Sequence, residues 1–240
     1  MNGRKLLIVG NSHVRMIRRA LRNREEAGTA MAGAEIEIIW VKAGPQAKFG
    51  ELSAEEVLEK IVRLNKNDCL IITLLGTAHN LIGMLKHDVP FAVMETIDGP
   101  VAVDKEAQII PMRSMQAYFE GFVRREGLVH RFRKAAPCPV FHFSPPPPKA
   151  RTEQHAHRKV AEGEPQREYA SRQNLLALWK LERHAVQNLL RDIGIGFIDT
   201  PKGVMISAGM LDEKFSADDM THANAAYGEL LLQAFENLPA

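Results

Sequence analysis

Three side chains near the two ends of this sequence are of the types that carry out nucleophilic catalysis. Ser12 lies in Gly10-Asn11-Ser12-His13, directly after an apolar run, and Asp219 precedes His222 by three residues near the C-terminus. A serine hydroxyl becomes a nucleophile when a histidine takes its proton, and a carboxylate orients that histidine and stabilises its charged form. We therefore predict Ser12 as the nucleophile, His222 as the base and Asp219 as its partner.

An α/β sheet is the architecture that the rest of the chain predicts for positioning these residues. Short apolar runs alternate with longer amphipathic segments, which is the pattern of parallel strands joined by crossover helices. The predicted strands cover residues 5–9, 35–41, 69–75, 140–143 and 196–199, and the predicted helices cover 13–22, 53–64, 115–134, 172–192 and 223–237. Because polar groups gather where parallel strands end, the residues that follow these strands should meet at one rim of the sheet.

Two segments interrupt the alternation of strands and helices. Residues 84–112 include a β-favouring run with an Asp-Gly-Pro turn, which predicts a hairpin set into a loop insertion. Residues 144–170 begin with four prolines after Ser144 and stay charged, which predicts a surface loop or lid. We expect the whole chain, 1–240, to form a single domain around these two loops.

The composition describes a soluble protein with no strong charge bias. Lys plus Arg (31) nearly cancels Asp plus Glu (29), and no continuous basic stripe is present, so we expect no nucleic-acid partner. No apolar stretch reaches membrane-spanning length, and the first apolar run is too short for a signal peptide, so we expect a cytoplasmic protein with no membrane partner. Cys69 and Cys138 each lie in or beside an apolar run and are interpreted as inert core thiols.

The order and spacing of these residues resemble the SGNH or GDSL hydrolase superfamily. Its first block is similar to Gly10-Asn11-Ser12, its last block resembles Asp219-Met220-Thr221-His222, and its second-block glycine is similar to Gly50. The resemblance implies a flavodoxin-like three-layer α/β/α sandwich with a parallel sheet of about five strands. It also implies a serine esterase or deacylase whose substrate is an acyl ester, with an O-acetylated carbohydrate as one possibility, and which needs no cofactor. The backbone N–H groups of Ser12 and Gly50 would then bind the oxyanion.

The third block of the superfamily is altered in this sequence. The superfamily has Gly-x-Asn-Asp, whose asparagine helps to bind the oxyanion, whereas Gly76-Thr77-Ala78-His79-Asn80 places alanine there. We expect Asn80 to supply the missing side-chain donor, because an asparagine amide donates hydrogen bonds at every pH. His79 is the rival donor.

Several of these residues also have structural interpretations. Ser12, Asn11 or the carboxylates before His222 could simply cap the helices that follow them. Asn11, His13 and His79 are candidate substrate contacts, although packing is favoured for His13. His155-Ala156-His157 lies in a charged segment without a recognisable set of metal ligands, so we expect no metal site.

Three other functions remain open at the sequence level. An O-acyltransferase would use the same three residues with a sugar hydroxyl in place of water. A degenerate domain that binds a glycan or a protein partner without turnover is compatible with the altered third block. A nucleotide binder that uses residues 10–13 as a phosphate loop lacks the further glycines that such loops need.

Overall fold

A five-stranded parallel sheet forms the centre of the protein in the computed structural model, which describes residues 4–29, 33–42, 44, 46–94, 107–150 and 169–239. The strands are β1 (Arg4–Gly10), β2 (Ala34–Trp40), β3 (Cys69–Thr73), β6 (Val140–Phe143) and β7 (Gly196–Ile198). Their order in the sheet is β2-β1-β3-β6-β7, and each neighbouring pair runs parallel. The five predicted strands are all present, so the predicted α/β sheet is confirmed.

Helices cover both faces of the sheet. The described helices are α1 (Val14–Glu26), α2 (Ala54–Ile61), α3 (Ala78–Gly83), α4 (Met112–Arg124), α5 (Gly127–Ala135), α6 (Arg172–Asp192) and α7 (Ala225–Glu236). Helices α1 and α7 pack on one face, and α2, α4, α5 and α6 pack on the other. The result is the predicted three-layer α/β/α sandwich.

The central strands are apolar on both sides because both faces of the sheet are covered. In β1, Leu6 and Ile8 belong to the core beside α1 and α7, whereas Leu7 and Val9 belong to the opposite core. The four side chains are at most 1% exposed. Near-continuous apolar runs are expected of strands that are buried in this way.

The helix predicted over 115–134 is wrong in one respect, because the structure contains two helices there, α4 and α5. The chain leaves the helical conformation at Glu126, and α5 begins at the next residue. Phe119 and Val123 are buried four residues apart, but the next buried residue, Val129, follows six residues later. In a continuous helix, the buried Phe132 would lie nine residues after Val123 and hence on the opposite side, so the break allows both segments to bury their apolar faces.

The hairpin predicted within 84–112 stays a prediction, because its turn falls outside the described residues. Strands β4 (Phe91–Met94) and β5 (Gln108–Pro111) do pair with each other, but they run parallel. A parallel pair requires the chain to return to the same end of the ladder, so a tight turn cannot join the two strands directly. The Asp98-Gly99-Pro100 sequence lies outside the described residues.

The start of the predicted surface loop at 144–170 is buried instead. Residues 144–149 are all buried, and residues 151–168 lie outside the described part of the chain. The Pro148 carbonyl accepts a hydrogen bond from the Leu211 N–H at 2.8 Å, and the Leu211 carbonyl accepts one from the Ala150 N–H at 3.3 Å. Proline has no N–H that would be left without a partner, so a run of prolines can be buried beside one pairing segment.

The described helices include no candidate for a membrane-spanning segment. None of them combines sufficient length with sufficient apolar character to span a bilayer.

Candidate active site

Ser12 lies on the tight turn that joins β1 to α1. The Asn11 N–H donates to the Thr73 carbonyl at 3.1 Å, and the Asn11 Oδ1 accepts from the His13 N–H at 3.1 Å. A side chain at Gly10 would come within 2.3 Å of Thr73, so only glycine allows the turn to approach β3 this closely. Asn11 therefore holds the turn, and the Ser12 hydroxyl is not used to cap α1.

The structure brings Ser12, His222 and Asp219 together, although Ser12 is 210 residues from His222 in the sequence. The Ser12 Oγ lies 2.6 Å from the His222 Nε2, and the His222 Nδ1 lies 2.9 Å from the Asp219 Oδ2. Because a carboxylate can only accept, Nδ1 donates its proton to Asp219, and Nε2 is left to accept the serine hydroxyl proton. This is the arrangement in which a histidine acts as a general base.

Asp219 is held as a charged acceptor. Its Oδ1 accepts the backbone N–H groups of Thr221 at 3.0 Å and His222 at 2.8 Å. Burial opposes ionisation, but these bonds and the bond from the His222 ring outweigh it and hold the pKa of Asp219 well below its usual range. The last helix does not use Asp219 as its cap, because the side chain of Asn224 accepts from the Ala226 and Tyr227 N–H groups there.

A buried lysine contacts the same turn. The Lys149 Nζ donates to the Ala217 carbonyl at 2.7 Å and to the Asp219 carbonyl, and it lies 3.6 Å from the Asp219 Oδ1. Burial lowers the pKa of Lys149, although the nearby carboxylates of Asp219 and Asp218 oppose this effect. The Asp219 carboxylate therefore lies between the His222 ring and a second basic group.

His13 packs against the ring of His222. Its ring is buried, and its centroid lies 4.8 Å from that of His222. Burial, together with the neighbouring His222, lowers the pKa of His13 to about 3. The structure thus favours the packing interpretation of His13, because its ring is buried against the His222 ring.

The third block forms the start of α3, and a glutamate from α6 binds it. The two Glu182 carboxylate oxygens accept the Ala78 and His79 N–H groups, both at 2.9 Å, and Glu182 Oε2 also lies 2.7 Å from the His79 Nδ1. The side chains of His79 and Glu182 are both 1% exposed. Since a carboxylate only accepts, Nδ1 carries the proton that faces Glu182. The role of His79 as an oxyanion donor through Nε2 stays a prediction.

Asn80 lies on α3 and is half-buried. Its backbone groups bond to Thr77 and Met84 within the helix, and the structure assigns its side-chain amide no partner among the described residues. Its role as an oxyanion donor stays a prediction.

An open cleft of about 700 Å³ lies beside Ser12. Its apolar wall includes Trp40 and Phe49, whose rings stack with centroids 6.2 Å apart and planes 5° apart. Phe49 is 72% exposed, and Lys42 and Lys48 also line the cleft. An exposed aromatic surface beside a reactive group is typical of a ligand-binding groove.

Gly50 directly follows Phe49 but is not among the residues that line this cleft. Its φ is +110°, and a side chain there would come within 2.7 Å of the Lys42 backbone. The chain therefore requires glycine at this position. The role of its N–H group in binding an oxyanion stays a prediction.

Comparisons with known proteins bear on the fold. No protein-family model matches this sequence, and no curated protein matches it. Among solved structures, the periplasmic domain of a lipopolysaccharide acetyltransferase from Salmonella ser. Paratyphi A superposes with a TM-score of 0.51 at 12% identity, covering 99% of this chain and 84% of that chain. A carbohydrate acetylesterase family member from Sinorhizobium meliloti gives a TM-score of 0.48 at 13% identity, covering 97% of this chain and 95% of that chain.

The protein shares its α/β/α fold with this acetyltransferase domain.

Two buried residues that contact the candidate site were missed from the sequence. Glu182 occupies the buried stripe of α6, four residues after Leu178 and four before Val186. A charged residue within an apolar stripe at helical spacing is a signal that could have revealed it. Lys149 follows four prolines in a segment interpreted as a surface loop, so no sequence pattern indicated its burial.

Metal ligation has no support among the described residues, where no group of three or more His, Cys, Asp or Glu side chains could hold an ion. His155 and His157 lie outside that part of the chain.

Proposed function

We propose that the protein is a serine esterase or deacylase that cleaves an acyl ester through a covalent acyl-enzyme. The observation that carries the proposal is the chain of hydrogen bonds from Ser12 Oγ to His222 Nε2 at 2.6 Å and from His222 Nδ1 to Asp219 Oδ2 at 2.9 Å. A bond network of this kind activates a serine hydroxyl that would otherwise be a weak nucleophile.

The reaction follows from the positions of these atoms. Ser12 Oγ attacks the carbonyl carbon of the ester while His222 Nε2 takes the hydroxyl proton, and Nε2 then returns that proton to the departing alcohol. A water molecule attacks the acyl-enzyme in the same way, releasing the acid and restoring Ser12. The N–H groups of Ser12 and Gly50 and the amide of Asn80 are the proposed donors to the oxyanion.

Acyl transfer is the second candidate, because it needs only a sugar hydroxyl in place of water. It is favoured by the shared fold with the periplasmic domain of a lipopolysaccharide acetyltransferase. The alteration of the third block keeps a non-catalytic binding role as the alternative to both reactions.

An O-acetylated carbohydrate is the substrate class that we propose. The stacked rings of Trp40 and Phe49 form a flat, exposed surface beside Ser12, and such a surface can contact the apolar face of a sugar ring. Lys42 and Lys48 at the same cleft would favour a sugar that carries a negative charge.

A panel of esters tests this proposal. Acetylated sugars should be hydrolysed with a higher kcat/KM than alkyl acetates or esters of longer acids, and Phe49→Ala should raise KM for the sugar several-fold while leaving kcat nearly unchanged. The matched control is Tyr118→Ala, which removes another exposed aromatic ring, on α4 and outside the lining of the cleft. Equal loss of activity on sugar and alkyl esters in Phe49→Ala would contradict the carbohydrate assignment.

A further inference from the structure

Lys149 is a buried cation aimed at the backbone of the Asp219 turn. Its side chain is 2% exposed, and its ammonium group donates to the carbonyls of Ala217 and Asp219. The other end of the turn is closed by the Ala217 N–H, which donates to the His222 carbonyl at 3.0 Å. The lysine therefore binds the segment whose shape decides where the Asp219 carboxylate points.

The burial of Lys149 has a substantial energetic cost. Removing an ammonium group from water is strongly unfavourable unless acceptors replace its hydration. Two carbonyls and a carboxylate oxygen at 3.6 Å supply that replacement, and all three belong to residues 217 and 219. A shorter or apolar side chain would avoid the cost, so the contacts of Lys149 point to a role at this turn.

The backbone on both sides of Lys149 fixes its position. Pro148 and Ala150 bond to Leu211, which pairs with Lys149 as a short parallel bridge. The turn is thus attached, through the ammonium group, to a buried segment that continues from strand β6 of the sheet.

We propose that Lys149 is a positioning residue that holds the Asp219 turn so that Oδ2 faces His222. This inference rests on the proposed function, because it assigns Lys149 a part in that same site. The Oδ1 atom is already occupied by the Thr221 and His222 N–H groups and faces Lys149, so Oδ2 remains for the His222 ring. The contacts of Lys149 among the described residues are to Ala217 and Asp219, so the lysine acts through Asp219.

The test compares Lys149→Met alone and in an Asp219→Asn background. Methionine keeps most of the buried stem but removes the ammonium group. We expect Lys149→Met to lower kcat about tenfold or more with KM changed by less than about twofold. In the Asp219→Asn background, the same change should cost almost nothing further, because a residue that acts through Asp219 has nothing left to position.

A purely structural role would give a different result. The losses in kcat from Lys149→Met and Asp219→Asn would then multiply in the double variant. The NMR signal of the His222 Nδ1 proton would also be unchanged in Lys149→Met, whereas loss of positioning should shift or broaden that signal. Multiplicative losses, or wild-type kcat in Lys149→Met, would overturn the proposal.

A second variant, Lys149→Gln, serves as a control for loss of folding. It keeps a neutral hydrogen-bond donor and should retain more activity than Lys149→Met. Thermal unfolding is measured for both. If neither folds, Lys149 contributes to stability as a whole and the positioning role is rejected.

The failure of this inference can be distinguished from the failure of the proposed function. If folded wild-type protein neither hydrolyses esters nor forms a covalent adduct at Ser12, the proposed function is wrong. If the wild type is active and Lys149→Met matches it, only the role of Lys149 is wrong.

Discussion

At the residue scale, the Ser12, His222 and Asp219 side chains are joined in one hydrogen-bonded chain, so their contributions to catalysis should not be independent. Ser12→Ala and His222→Ala are each expected to lower kcat by about 10³-fold or more, and the double variant should be no worse than either single variant. Asp219→Asn should cost somewhat less. Steady-state kinetics on one ester measures all four, and Asp218→Asn serves as the control for a neighbouring carboxylate.

The result that would contradict this prediction is a double variant whose loss equals the product of the single losses. Such additivity would mean that Ser12 and His222 do not act as a unit.

Asn80 carries the second prediction at this scale. If its amide binds the oxyanion, Asn80→Ala should lower kcat about 10²-fold with little change in KM, because the interaction exists only in the transition state. Asn80→Asp, which keeps the size but replaces the donor with an acceptor, should be at least as damaging. Unchanged kcat in Asn80→Ala would leave the backbone donors or His79 to bind the oxyanion.

At the scale of elements, the contact between α3 and α6 depends on Glu182. Glu182→Ala would leave two buried backbone N–H groups and the His79 ring without their acceptor, so we expect the free energy of unfolding to fall by about 3–5 kcal/mol. Chemical denaturation measures this change. The control is His184→Ala on the exposed side of the same helix, which should cost less than about 0.5 kcal/mol. A comparable loss in both variants would contradict the role of Glu182.

Elements were predictable from the sequence where local pattern and burial agree. The buried strands β1 and β3 begin or end within two residues of their predicted bounds, because a run that is apolar on both faces has few other structures open to it. The parallel pairing of β4 with β5 was not predictable, because strand direction depends on long-range contacts that a short β-favouring run does not encode.

The residues of the candidate site that lie near the two ends of the chain were predictable from the sequence, whereas those in the middle of the chain were not. Ser12 and the Asp219 to His222 spacing appear as local motifs, and the fold places them at one rim. Glu182 and Lys149 reach the site from distant segments through long-range contacts, so neither has a local motif.

At the scale of the whole molecule, two buried histidines make stability depend on pH. Burial lowers the pKa of both His13 and His142 to about 3. Both remain neutral in the folded protein, whereas in the unfolded chain they take up protons below about pH 6.5, so stability is lost as pH falls through that value towards 3. Between pH 7 and pH 5, each should remove about 2 kcal/mol from the free energy of unfolding.

His142→Gln isolates one of these contributions. The His142 Nε2 accepts the Leu74 and Leu75 N–H groups, and a glutamine side-chain oxygen can take over that role without titrating. Urea denaturation at pH 7 and pH 5 should show that the variant loses about 2 kcal/mol less than the wild type over this interval. An identical pH dependence in the two proteins would show that His142 is not protonated on unfolding.

The central claim concerns the whole molecule, because it states that residues near one end of the chain, His222 and Asp219, activate a serine near the other end, Ser12. Treatment with a fluorophosphonate probe, followed by intact-mass measurement and peptide mapping, tests it most directly. We expect a single adduct on Ser12 in the wild type, none in folded Ser12→Ala, and labelling slowed at least about 10²-fold in His222→Ala. Folded wild-type protein that acquires no adduct, or an adduct that persists in Ser12→Ala, would contradict the account.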